Sequence, residues 1–263
     1  MSVGRTLALV AWAALVPLTR DARAAVQLDI AAETAPELRV VARNTGDEPA
    51  RDVTAEVLYQ HRTDTAQPVG LAPGEAHEWR FPVAAPPGPG IFAATIRLRY
   101  RDSGGDGWSV PFVAPVATPG ATSPTVRATL DADSITGIGQ ATLKLATGEA
   151  EPVAGRAVFT LPGGLTTEPE SVPVQVGAGP GTVVPLVIRN DGHLLPGRYP
   201  IYATFEYSLG GEHQAVIARA AVEVVDATDQ RRMRPLLVGL GALGAALLVL
   251  VLAGRAAARR ASA

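Results

Sequence analysis

At 263 residues the chain is long enough for two domains once its apolar ends are set aside, and each half can bury a core of its own. It has no cysteine, which excludes disulfides and thiolate metal sites, so stability has to come from apolar burial. Residues 25 to 230 carry 14 basic and 24 acidic side chains, a net charge of −10, and a surface this acidic repels phosphate backbones and excludes nucleic acid as a partner.

In chain order, residues 1–24 have the layout of a secretory signal peptide. Arg5 is followed by an uninterrupted apolar stretch from Thr6 to Leu18, then by Ala22-Arg23-Ala24 with small residues at the cleavage site. Cleavage is expected after Ala24. The apolar core is too short for a stable membrane-spanning helix, which disfavours an uncleaved anchor.

From residue 25 to 226 the chain alternates short apolar-patterned segments with Gly, Pro, Asn and Asp, and offers no amphipathic helix of useful length. This pattern predicts an all-β chain of two tandem immunoglobulin-like β-sandwiches, residues 25–118 and 124–226. The clearest strand is Ile91 to Tyr100, where Phe92, Ala94, Ile96, Leu98 and Tyr100 share one face and Ala93, Thr95, Arg97 and Arg99 the other.

That strand recurs in the second half. Pro89-Gly90-x-Phe92 leads to Tyr100 and Gly104-Gly105, and Pro196-Gly197-x-Tyr199 leads to Tyr207 and Gly210-Gly211. The inward positions pair as Phe92 with Tyr199, Ala94 with Ile201, Ile96 with Ala203, Leu98 with Phe205 and Tyr100 with Tyr207. An earlier turn repeats too. Residues 44–49 precede a strand from Val53 to Tyr59, as residues 147–152 precede one from Gly155 to Leu161, and in both Gly46 and Gly148 are expected to take positive φ. The Pro/Gly/Ser/Thr run from Thr118 to Ser123 is the expected junction, short enough to restrict motion between the modules.

Asn44-Thr45-Gly46 before a Val-rich strand, Leu71-Ala72-Pro73-Gly74-Glu75 before Trp79 and Phe81, and Pro-Gly-x-aromatic with a terminal Tyr together resemble the bacterial immunoglobulin-like modules called CARDB and the related NEW-type domain. The resemblance spans nearly all of residues 25 to 226 and marks turns and core positions. The second copy departs from it in having Ala146 where the family has Asn. The resemblance implies non-catalytic parts of cell-surface proteins, engaged in adhesion or in presenting other domains. It carries no binding residues onto this chain.

After the second module, residues 235–254 contain no charge and are rich in Leu, Val, Ala and Gly, about the length that spans a bilayer. Arginines flank both ends, Arg231, Arg232 and Arg234 before and Arg255, Arg259 and Arg260 after, so orientation rests on the signal peptide. The expected topology is a single-pass protein of the cytoplasmic membrane, modules outside and residues 255–263 forming a basic cytoplasmic tail. The pairs Gly241/Ala245 and Ala242/Ala246 have the spacing of small residues that lets helices pack closely.

No catalytic, cofactor-binding or metal-ligating constellation emerges. His61, His77, His193 and His213 lack ligand spacing and read as solvent-exposed loop histidines, although His61 and Asp64 stand within reach of His77 if a hairpin joins them. Asp102/Asp106 and Asp131/Asp133 lack the full oxygen-rich loop of a calcium site. The sharper candidate is the row Arg97, Arg99 and Arg101 on the wet face of one strand, with Arg80 on a neighbouring one, as a ligand-binding surface for an anionic glycan or an acidic loop. Its positions in the second copy are Thr204, Glu206 and Ser208. The competing reading is that these arginines pair across to Asp or Glu. The expected function is a non-enzymatic interaction or adhesion-type protein of the cell envelope, without cofactor, contacting another envelope protein or a surface polymer. The alternative is an accessory subunit of an envelope transport or export complex. The oligomeric state has no signature in the sequence.

Overall fold

The computed structural model describes residues 26–34, 37–179 and 181–226. The expected signal peptide, membrane helix and basic tail lie outside the described residues. Every regular element among the described residues is a β-strand, and no helix there is long and apolar enough to cross a membrane.

The first module contains β1 (Leu28–Glu33), β2 (Leu38–Asn44), β3 (Ala50–Tyr59), β4 (Arg62–Thr65), β5 (Val69–Leu71), β6 (Ala76–Phe81), β7 (Ile91–Arg101) and β8 (Gly107–Ala117). One sheet has the order β1-β2-β6 and the other β4-β3-β7-β8, with β5 pairing along β3. The second module contains β9 (Val126–Ala132), β10 (Ser134–Ile135), β11 (Ile138–Thr147), β12 (Val153–Thr160), β13 (Leu165–Thr167), β14 (Ser171–Val176), β15 (Thr182–Asn190), β16 (Gly197–Leu209) and β17 (Glu212–Val224). Its sheets run β13-β15-β11-β9 and β10-β17-β16-β12-β14. Pairings are antiparallel except for β10 along β17. Strands distant in sequence lie side by side, β2 with β6 and β3 with β7, so each module buries two apolar faces against each other.

The repeat sits on β7 and β16. Phe92, Ala94, Ile96, Leu98 and Tyr100 line the first core, and Tyr199, Ile201, Ala203, Phe205 and Tyr207 the second. Fully burying a side chain the size of Phe205 contributes about 1.5–3 kcal/mol. Both strands turn back on glycine. Gly210 and Gly211 have φ of 61° and 85°, the mirror-image turn whose twist matches a two-residue hairpin.

The first turn differs from expectation, because neither Gly46 nor Gly148 is among the residues at positive φ. Side-chain hydrogen bonds shape the turn instead. Asn44 is fully buried; its amide donates to Glu48 O (2.7 Å) and Leu71 O (3.0 Å), and its Oδ1 accepts from Gly46 N (3.1 Å). Thr147 performs the last of these roles in the second module, its Oγ1 accepting from Glu149 N at 3.1 Å. The structural counterpart of Asn44 is therefore Thr147, at the end of β11, rather than Ala146.

The two modules share a joint. On the outer faces of β16 and β17, Tyr202, Thr204 and Ala215 are buried, and on the outer face of β8 so are Pro111 and Val113, because these strands pack on one another. Phe112 meets Tyr202 edge to face at 5.9 Å, and His213 stacks on Phe92 with centroids 4.5 Å apart. Backbone bonds cross as well. His213 N donates to Pro89 O (3.1 Å) and Gly163 N to Ser109 O (3.1 Å). Gly90, at φ 137°, lies so close that a Cβ there would stand 1.9 Å from His213 O. Trp108 packs against both cores.

The connection between β8 and β9 is pinned at both ends. Gly90 N donates to Thr118 Oγ1 (2.8 Å), and Thr122 Oγ1 donates to Glu212 Oε2 (2.7 Å), which holds the Glu212 carboxyl below its usual range. The buried Tyr207 hydroxyl accepts from Thr125 N (3.1 Å), placing ring in core and oxygen at the edge.

Candidate functional site

Where the modules meet, a cleft of about 740 Å3 opens, walled on one side by the β7–β8 hairpin and on the other by two loops of the second module. The hairpin is held by Asp102. Its Oδ2 accepts from the Trp108 indole N–H (2.7 Å) and its Oδ1 from Asp106 N (2.9 Å), the indole bond being the main reason its carboxyl lies below the usual range. Those bonds occupy the carboxylate that the Asp102/Asp106 pair would offer a cation. Asp131, of the other pair, is bound to Lys144 at 2.8 Å. No group of three or more His, Cys, Asp or Glu is placed to hold a metal among the described residues.

Beside the hairpin, β3 carries a bulge. Its pairing with β7 slips between Arg51 and Thr54, and Asp52 stands in the left-handed region at φ 52°. The bulge brings the Asp52 carboxylate 3.9 Å from the Arg101 guanidinium.

The opposite wall depends on the close approach of two glycines. Gly192 N donates to Gly164 O (2.9 Å), and a Cβ on Gly192 would sit 2.4 Å from the Gly164 Cα. Asn190 clamps the loop by accepting from Leu194 N at 2.7 Å and donating to Leu194 O at 3.3 Å. His193 projects from it at φ 50°, and Leu195 beside it is 52% exposed.

Of the expected arginine row, Arg99 and Arg101 line the cleft, and Arg97 does not. Arg97 is half-buried on β7, in register with Glu56 and Pro111. Arg99 pairs with Glu56 at 2.9 Å, and Arg101 also donates to Gly105 O at 3.1 Å. The row is therefore much less cationic than three unpaired guanidiniums. Arg80 does not belong to it at all. It lies on β6 in the opposite sheet, bound to Glu78 at 2.8 Å.

Two histidines also depart from expectation. His77 is half-buried within β6, its ring edge-to-face with Trp79 at 4.8 Å, and His213 is half-buried within β17 at the joint. His61 and His193 are exposed in turns. At the cleft, Tyr100 lies nearly buried. Burial, helped by the nearby Tyr199 and Asp102, pushes its phenol up to about 12. Sequence reasoning did not reach Asp52, Asp106 or Trp108 as cleft residues. The bulge that aims Asp52 and the joint that brings in the second wall carry no sequence motif.

No protein-family model and no curated protein matches the chain. Among solved structures, Salmonella alpha-2-macroglobulin aligns at 15% identity and TM-score 0.34, over 76% of this chain and 16% of that one. Red sea bream transglutaminase aligns at 14% identity and TM-score 0.30, over 76% of this chain and 31% of that one. A candidate carbohydrate-binding protein from Bacteroides uniformis aligns at 13% identity and TM-score 0.30, over 68% of this chain and 93% of that one. This chain thus spans less than a third of the length of the first two proteins, and similarities this low carry no functional information.

Proposed function

We propose that the chain is a membrane-anchored, non-enzymatic binding protein of the bacterial cell envelope that holds two immunoglobulin-like sandwiches outside the cytoplasm as one rigid unit. The observation that carries this reading is the joint. Aromatic stacking, crossing backbone hydrogen bonds and a Trp108 shared by both cores fix one module against the other, as a unit that displays a surface at a set angle requires. Strand order in each module is that of immunoglobulin-type sandwiches, which supports the resemblance to CARDB and NEW-type modules. The signal-like start and the uncharged segment 235–254 supply the expected topology.

A second reading, an accessory subunit of an envelope transport or export complex, is favoured by a different surface. Ile138, Val183 and Val187 are 63%, 59% and 42% exposed on the β11–β15 face, which lies opposite the joint. Three large apolar side chains on one sheet face, interleaved with Gln140, Lys144 and Arg189, offer a partner apolar contact with a polar surround.

Because the chain lacks cysteine, a single Val183→Cys reports topology cleanly. A membrane-impermeant maleimide able to reach the periplasm is expected to label it in intact cells. Labelling only after lysis of the cytoplasmic membrane contradicts the proposal. Crosslinking from the same position separates the two readings, since a single transport-complex partner favours the second.

A further inference from the structure

We infer that the cleft between the modules is a binding site for a neutral saccharide segment of a surface polymer, an inference that rests on the extracytoplasmic reading above. The cleft is built rather than left over. Apart from the Gln60-His61 hairpin, the non-glycine residues at positive φ among the described residues are Asp52 and His193, one on each wall. A bulge creates the first and a side-chain-clamped loop the second, and bulges and left-handed residues concentrate where a side chain must be aimed.

Charge parity selects the ligand. Arg99 and Arg101 face the same space as Asp52 and Asp106. An anion gains from the guanidiniums what it loses to the carboxylates, and the acidic modules around the cleft repel it further. A sugar hydroxyl uses both, since it donates to a carboxylate and accepts from a guanidinium. Trp108 and Leu195 add apolar surface for the C–H face of a ring. The volume, 740 Å3, lies within the range of small-ligand sites. These features favour a saccharide over an acidic peptide.

The test uses the full chain in a zwitterionic, sugar-free detergent. Maltotriose, cellotriose, mannotriose and N,N′,N″-triacetylchitotriose are titrated by saturation-transfer NMR, with trigalacturonate and hexaglutamate as charged comparisons. At least one neutral trisaccharide is expected to bind at about 1 mM or tighter. Asp52→Asn with Asp106→Asn, and separately Arg101→Ser, is expected to weaken it about tenfold or more while the thermal midpoint moves by less than about 2 °C. Asparagine tolerates the left-handed backbone at position 52, so the first variant keeps the bulge. No neutral trisaccharide binding by about 10 mM, unchanged affinity in both variants, or tighter binding of either charged comparison overturns the inference. Failure here with Val183→Cys still labelled from outside refutes the saccharide site alone. Loss of that labelling refutes the reading beneath it.

Discussion

Strands β7 and β16 are the same element twice, and they differ only on one side. Their inward residues are alike in kind, aromatic at both ends and apolar between, with Phe205 standing where β7 has Leu98, and all fill a core. Their outward residues have diverged. On β7, Arg99 and Arg101 are exposed and wall a cleft, where β16 has Glu206 and Ser208; Thr204, the counterpart of half-buried Arg97, is only 4% exposed, and Tyr202 near it 3%, because the first module covers them. The shared face thus makes two domains, and the unshared face makes one unit of them.

Substitutions on the shared face are expected to have the largest effects. Phe205→Ala is expected to cost about 3–5 kcal/mol and its counterpart Leu98→Ala about 2–5, measured by chemical denaturation. Since Trp108 belongs to both cores, each substitution is expected to move one common transition. Separate transitions, only one of them shifted, would show modules that fold independently.

Alkali probes Tyr100, the terminal tyrosine of the first copy. The Tyr100 phenol is raised to about 12 in the folded chain, against about 10 when unfolded, so its neutral form is the one the fold favours. That contribution is whole below about pH 10 and fades as pH rises toward 12, a loss of about 2–3 kcal/mol. Denaturation midpoints across this range, compared with Tyr100→Phe, check it. Phenylalanine should remove most of the pH dependence that Tyr100 supplies.

Asn44→Ala strands the buried Leu71 carbonyl and is expected to cost about 2 kcal/mol, whereas Thr147→Ala, which loses one half-buried bond, costs less than about 1. Equal costs would show that the two turns are held alike. The smallest effect belongs to the outward face. Arg99→Ser with Arg101→Ser should change stability by less than about 1 kcal/mol, because both guanidiniums are exposed to water. A marked loss would make those arginines structural.

What was legible in the sequence follows the same division. Inward positions must be apolar and alternate, so Phe92 to Tyr100 and Tyr199 to Tyr207 announce strand, face and repeat together. The joint has no such period. It uses Thr204, Ala215 and Ser109, residue types common on any strand, and it buries a face that alternation marks as wet. Half of the candidate site was therefore reached through Arg99 and Arg101. Asp52 stayed hidden because its bulge is set by the pairing of β3 with β7, far along the chain, and His193 because its left-handed turn depends on the Asn190 clamp and the approach of Gly164. Arg80 was misplaced for a related reason, since nothing local in β6 tells which sheet it joins.

A joint that holds the two sandwiches at one angle fixes the distance between positions on their far sides. Spin labels on Thr65→Cys and Val183→Cys, exposed positions on different modules, are expected to give a single narrow distance distribution by double electron–electron resonance. Gly90→Val, which drives a side chain into His213, should broaden it. A distribution already broad in the otherwise unchanged chain would contradict the account.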